Sequence, residues 1–290
     1  MARLVKKLAI GASLALGFSA AATVPALAGS LTNPIVTGTV ETDYYLYDVR
    51  DTNGDGIVDQ TYLNPSADLD SVLMEQDGTP GGNVELWANS EQSGADFFAP
   101  QVSLSGQIKG KTLTLSSLNA FDWFTTSSGT QDYTYNGDTL ATRWFNELLT
   151  NAGQGGIVGK GIGEFAFDNF IRNGGFQRAS DPNISYVKNS EGSIDIGLAG
   201  HFNMKDVYDY WFIPDGFQAS EVVKYTYDGV TDYLFSFEAT ESGLRELADG
   251  KSHSGNYEVA IATVPEPSTL LGLMAVGSLF AAAKRKSKNA

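Results

Sequence analysis

The sequence predicts an α+β or mainly β fold, an antiparallel sheet or sandwich with one or two packed helices. Three observations predict it. Segments in which apolar and polar residues alternate occupy both halves of the chain. Between them one stretch repeats its apolar residues at helical spacing. Alternating βαβ units are absent, which removes a doubly wound parallel sheet.

The elements follow in order. "DYYLYDV" (Asp43 to Val49) is an aromatic-rich strand, and Asn64 to Gln101 is rich in Gly, Asp and Ser, with a short strand at "NVELWA". "QVSLSGQIKGKTLTLSSL" (Gln101 to Leu118) alternates about Lys109-Gly110-Lys111, an antiparallel hairpin with one buried face. In "DTLATRWFNELLTNAG", Leu140, Trp144 and Leu148 recur at helical spacing; Asp138 is placed to cap the start and Gly153 to end it. "GIGEFAFDNFIRNGG" reads as a second short helix stopped by Gly174 and Gly175. "NISYVKN", "SIDIGLAG", "EVVKYTYDGVTDYLFSFEA" and "NYEVAIATV" return to strands, the third turning at Asp228-Gly229.

The two ends have a different character. "MARLVKKLAIGASLALGFSAAATVPALAGS" has a basic start, an apolar stretch and small residues at Ala26 and Ala28, the layout of a secretory signal peptide cut before Gly29. At the other end Thr269 to Ala283 is uncharged, enough for a short transmembrane helix of about 22 Å. Lys284, Arg285, Lys286 and Lys288 follow it and would hold that end in the cytoplasm. The chain therefore divides into a signal peptide (1–28), an exported globular domain (29–263) and a C-terminal signal (264–290), with the secretion machinery and signal peptidase as partners.

Pro265-Glu266-Pro267, the short apolar helix and the basic tail together resemble the PEP-CTERM sorting signal of bacterial surface proteins. The resemblance implies recognition by an exosortase, cleavage near the Pro-Glu-Pro, and transient membrane anchoring before arrival at the cell surface or extracellular matrix, often where exopolysaccharide and biofilm are made. "LSSLNAFDWF", "RWFNELLTNAG" and "SDPNISYV" resemble a group of cyanobacterial PEP-CTERM proteins without an assigned activity.

The precursor carries a net charge of −15; removing Arg3, Lys6, Lys7 and the four tail cations, against one acid, Glu266, takes the exported part to −21. Such a charge repels nucleic acid and suits a hydrated matrix or cation binding. Without cysteine there is no disulfide, thiolate metal site or cysteine nucleophile.

Candidate chemistry is sparse. In "DTNGDGIVD", Asp51, Asn53, Asp55, the Ile57 carbonyl and Asp59 are spaced as in the first nine positions of a calcium loop, so calcium is the cofactor these residues suggest. The twelfth position is Tyr62 instead of an acid, which leaves Asp48, Asp68 or Asp70 to complete the shell; the alternative is a turn that binds nothing. Trp123, Tyr210 and Trp211 are candidate sugar-stacking rings, with Asp122, Asp209 and Asp215 as hydroxyl acceptors; the alternative is that they are core. His201 and His253 are the chain's two histidines, far apart in sequence and in ordinary contexts. No nucleophile elbow is present. The sequence therefore supports a non-enzymatic surface or matrix protein, with a carbohydrate-binding module for exopolysaccharide as the alternative and a secreted glycoside hydrolase behind it.

Overall fold

The computed structural model describes residues 30–263 except 77, 78, 91, 93 and 207. The expected signal peptide, with Ala26, Ala28 and Gly29, and the C-terminal segment, with Pro265, Glu266, Pro267, Lys284, Arg285, Lys286 and Lys288, lie outside the described residues. Among the described residues no helix is long and apolar enough to cross a membrane.

The chain begins with β1 (Thr32–Val36), β2 (Tyr44–Arg50) and β3 (Gln60–Leu63), then one helical turn, α1 (Leu69–Val72). β4 (Glu75–Gln76), β5 (Thr79–Pro80) and β6 (Gly82–Leu86) follow, and then the hairpin β7 (Ser103–Ile108) and β8 (Lys111–Ser116). The helical stretch holds α2 (Ala120–Phe124), α3 (Leu140–Leu149), α4 (Gly161–Arg172) and α5 (Gly175–Arg178). Strands resume with β9 (Asn183–Ser190), β10 (Ser193–Gly200), β11 (Val223–Tyr227) and β12 (Val230–Leu234). β13 (Thr240–Glu241), β14 (Arg245–Glu246) and β15 (Gly255–Ala262) complete the described chain.

Two principal sheets form, mostly antiparallel: β1-β7-β8-β11-β12, and β13-β15-β10-β9-β6-β2-β3-β14. Their hairpins turn where the sequence places Gly. Lys109 and Gly110 have φ of 50° and 73°, Asp228 and Gly229 52° and 78°, the paired positive values of the tight turn that matches strand twist. Alternation sends Leu104, Leu113, Leu115 and Val223 from one sheet against Leu46, Val84, Ile184, Ile196 and Leu198 from the other. This is an aliphatic sandwich core, each such side chain contributing about 1.5–3 kcal/mol by burial.

The eight-stranded sheet is curled. At about 4.8 Å per strand spacing, a flat sheet of this size would hold its outer strands about 34 Å apart. Yet β13 and β14, at opposite ends of the strand order, are joined only by residues 242–244, which reach at most about 14 Å. The edges must therefore approach each other. That connection and the stretch that follows it as far as β15, residues 242–254, form a strap over the sheet's polar face, where Ser242, Leu244 and His253 enclose a small gap with Asn83, Ser185 and Asn256. Inside the curl, Tyr186 lies across Gly197 of the paired strand; a Cβ there would sit 2.2 Å from the ring.

The helices build a second core. Asn119 caps α2 by accepting from the amides of Phe121 and Asp122, and the Asp122 carboxylate accepts from the Asn119 amide in return. Thr139, not Asp138, caps α3, accepting from the Thr142 amide; Asp138 instead accepts from the Ser127 hydroxyl. The residue whose side chain reaches the amide two or three positions on is the cap, and Asp138 lies one residue too early. Gly153, at φ 74°, sits in the wide turn Thr150–Gln154 that follows α3, and Gly174, at φ 70°, follows α4 in the left-handed conformation. Phe176 lies amid Trp123, Phe124, Phe167 and Phe170 at ring-centroid distances of 4.9–5.5 Å.

Candidate functional site

A polar cleft of about 280 Å³ opens on the curled sheet. Its floor comes from alternation: in β2 and β6, Leu46, Val84 and Leu86 turn into the sandwich core, which sends their neighbours Tyr47, Asn83 and Glu85 to the opposite face. Tyr47 and Glu85 line the cleft together with Asn183 at the start of β9 and Gly200 and His201 at the end of β10. The strap supplies its other wall, Glu246, Asp249, Ser252 and His253. Thus the two histidines that the sequence holds apart line one cleft.

Several of these polar groups have an identifiable task. The Tyr47 hydroxyl donates to Glu85 at 3.0 Å, and burial first, then the Glu85 charge, push the phenol above its ordinary range. The Tyr47 ring meets His253 edge-on at 4.8 Å. His253 is 4% exposed; its Nδ1 lies 2.9 Å from the Thr61 hydroxyl and 3.3 Å from the Asn83 amide nitrogen. An amide nitrogen only donates, so Nδ1 accepts and the network assigns the ring proton to Nε2. Burial, helped by the charge of His201, lowers the pKa of His253 to about 3 and keeps it neutral. Its backbone is left-handed, at φ 62°, unusual for a residue other than glycine.

The strap wall is braced from within. Glu246 accepts from the amides of Ala248 and Asp249 at 2.6 and 3.1 Å. Asp249 accepts from the amides of Lys251 and Ser252. Burial works to raise Asp249, but the Ser252 hydroxyl and these amides prevail and hold it below its ordinary value.

Behind the cleft lies a second, mostly apolar cavity of about 20 Å³, lined by Trp144, Phe170, Met204, Tyr210 and Ala219. Arg178, His201, Tyr208 and Glu221 line both spaces and so form the threshold between them. Arg178 lies over the Tyr208 ring at 5.6 Å. Burial lowers the pKa of His201, against the opposing effects of the Asp249 charge and a hydrogen bond with the Lys251 backbone.

The residues singled out from sequence fall in different places. Trp123 is 0% exposed and donates from its indole to the Ser180 hydroxyl. That corrects the expectation of a sugar-stacking ring, because a ring with both faces packed in a core has none to offer. Asp122 likewise serves the fold, bound by Lys224 at 2.8 Å, Tyr233 at 3.0 Å and Gln101 at 2.7 Å. Tyr210 is buried and lines the inner cavity. Trp211 is 53% exposed and packs edge-on against Phe212, outside the cleft lining. Asp209 pairs with Lys205, and Asp215 accepts from Asn203.

The acidic loop joins β2 to β3. Asp51 accepts from the amides of Asn53, Gly54 and Gly56, which holds its carboxyl below the usual range. Asn53 and Asp55 accept from the amides of Asp55 and Ile57, and Asp59 accepts from Thr52. Of the acids expected to complete the shell, Asp48 is bound by Tyr62 and Asn64, and Asp68 caps α1. Among the described residues no group of three or more His, Cys, Asp or Glu is placed to hold a metal ion.

Sequence reasoning missed Tyr47, Glu85, Glu246 and Asp249 as cleft residues. Strand alternation signals that Glu85 faces away from Val84 and Leu86, but nothing in the order of residues says that the strap arrives above it.

Both ends of the described chain leave from the pole opposite the cleft. Ser30 bridges to Lys188, and the Thr263 amide donates to the Gly192 carbonyl. Asn183 and Gly200 mark the cleft end of the same two strands, about 23 Å away along β9. No curated protein and no solved structure matches the chain. Residues 263–286 match the family model of the PEP-CTERM protein-sorting motif, and this match supports a PEP-CTERM protein, exported and sorted by an exosortase.

Proposed function

We propose that the exported protein works at the cell surface or in the surrounding matrix without catalysing a reaction, and that it holds exopolysaccharide in the polar cleft. The observation that carries this reading is the convergence of Tyr47, Glu85, Asn183, His201 and His253 in one space next to an aromatic cavity. Sugars present many hydroxyls and an apolar ring face, and such a mixed lining answers both. The absence of catalysis is supported by the bracing: Glu246 and Asp249 hold the strap, Ser252 donates to Asp249, and His253 is neutral and bound to Thr61. The orientation suits a surface protein, since the described chain ends, at Thr263, on the pole away from the cleft. The resemblance of the central segments suggests a photosynthetic bacterium's envelope as the setting.

The test is calorimetric titration of the protein with its producer's exopolysaccharide, alongside an assay for new reducing ends. Binding that Glu85→Gln weakens by about tenfold, with no new reducing ends, is the expected result. Accumulating reducing ends would move the reading to a glycoside hydrolase, and no binding would remove it. A calcium ion on the Asp51 to Asp59 loop belongs to the same reading, supported by the spacing of its oxygen ligands.

A further inference from the structure

We propose that Gln101 and Lys224 join in an intramolecular amide cross-link, a self-modification of the folded chain that releases ammonia, with Asp122 as its acid–base catalyst. Strand alternation brings the three residues together. Leu104, Leu115 and Val223 face the sandwich core. Their neighbours Ser103, Ser116 and Lys224, which lie side by side across β7, β8 and β11, therefore point to the opposite face of that sheet. Gln101 precedes Ser103 by two residues, and α2 sets Asp122 against the same face. The Lys224 Nζ lies 2.8 Å from Asp122 Oδ1 and 3.2 Å from the Gln101 carbonyl oxygen Oε1. Gln101 Nε2 lies 2.7 Å from Asp122 Oδ2. One carboxylate thus touches both the amine and the leaving group of the amide beside it.

The orientation of the amide follows from its partners: Nε2 faces two acceptors, Asp122 and the Ser117 carbonyl, while Oε1 faces the ammonium. Asp122 is itself held by the Tyr233 hydroxyl at 3.0 Å and the Asn119 amide at 3.1 Å. At 7% side-chain exposure it is shielded from water, so its proton exchange is with the groups it touches. The carboxylate takes a proton from the Lys224 ammonium, and the freed amine attacks Gln101 Cδ. The Cδ–Nε2 bond breaks as Asp122 returns that proton to the departing nitrogen. Ammonia takes up the second proton that Nζ loses and leaves as ammonium, so an Nζ–Cδ bond has replaced Cδ–Nε2 and Asp122 ends ionised as it began. Holding amine and amide together supplies an effective concentration on the order of 10⁵ M in well-oriented cases. The bond ties positions 123 residues apart in sequence and encloses α2 to α5, in a chain whose lack of cysteine denies it a disulfide. It forms once per chain, and none of its three residues lines the cleft.

The test is the intact mass of the full exported protein, folded and incubated at neutral pH, followed by sequencing of its protease fragments. A mass short by one ammonia, with a branched fragment joining Gln101 to Lys224, is the expected result. Lys224→Arg keeps a cation beside Asp122 but offers no nucleophilic amine, so it should show the full mass and unfold at a lower temperature. Gln101→Glu, which removes the amide leaving group, should also keep its full mass. Asp122→Asn should slow the mass loss at least about a hundredfold, the usual share of a general acid–base, with circular dichroism checking that each variant is folded. The full mass in the folded wild type would overturn the cross-link. A loss of water with a fragment joining Lys224 to Asp122 would overturn the role of Gln101. A loss of ammonia that persists in Lys224→Arg would overturn the cross-link too, by pointing to ring closure at an Asn-Gly pair such as Asn136-Gly137.

Discussion

The molecule has two cores built on different principles. Between the sheets, Leu, Val and Ile interdigitate mostly at alternate positions of regular strands, where a backbone ladder fixes them. Under the helices, Trp123, Trp144, Phe145, Phe167, Phe170, Phe176 and Phe212 come together from four short helices and a loop. Branched aliphatics suit a pleated surface, whereas large rings fill the irregular volume between short elements. The difference bears on function. The aromatic core, with more awkward shapes to fit, leaves a cavity beside the cleft, lined by Trp144 and Phe170.

Truncation in each core should have the largest effects and tests whether the two act as one. Phe176→Ala should cost about 3–5 kcal/mol and Leu115→Ala about 2–5 kcal/mol, read by urea unfolding. If the cores are one cooperative unit, both variants keep a single transition; two separated transitions would split the molecule along the seam. The next probe is the seam itself. Asp122 on α2 is paired with Lys224 on β11, with side-chain exposures of 7% and 25%. Asp122→Asn should cost about 3 kcal/mol by leaving the ammonium without its partner, and a loss near zero would show that the seam is held by apolar contact alone.

A third probe is pH. The folded-state pKa of His253 is lowered from 6.5 to about 3, so above pH 6.5 both folded and unfolded chains hold it neutral and it adds no slope. Below 6.5 the unfolded chain binds a proton that the folded chain refuses, so stability falls steadily towards about pH 3. His253→Gln should flatten that decline in urea midpoints measured between pH 7 and pH 4; an unchanged slope would show that this histidine is not the titrating group. The smallest effect is expected at the acidic loop. Asp51 is exposed, so Asp51→Ala should lower the melting temperature only slightly, and calcium should raise it in the wild type and not in the variant. Identical melting in calcium and in chelator would retire the calcium ion.

Much of the scaffold was legible in the chain. Lys109-Gly110 and Asp228-Gly229 announced their hairpins because few residue pairs tolerate positive φ twice in succession. The α3 and α4 periodicities were equally plain, although the cap moved from Asp138 to Thr139. α2 was overlooked, yet its reciprocal cap at Asn119 and Asp122 is a local signal that can be read. Trp123 shows where such reading fails: an Asp-Trp-Phe run looks the same in an exposed loop as in a helix whose far face meets Phe176.

By itself the sequence determined what depends on neighbours along the chain: turns, alternation, helix ends and the sorting motif at residues 263–286. The tertiary structure decided what depends on residues far apart. Three residues between β13 and β14 force the sheet to curl, and the curl carries His253 to Thr61 across 192 positions. It also sets both histidines beside Glu85 in one cleft. No local preference encodes that meeting, because it follows from the closing geometry of the whole sheet.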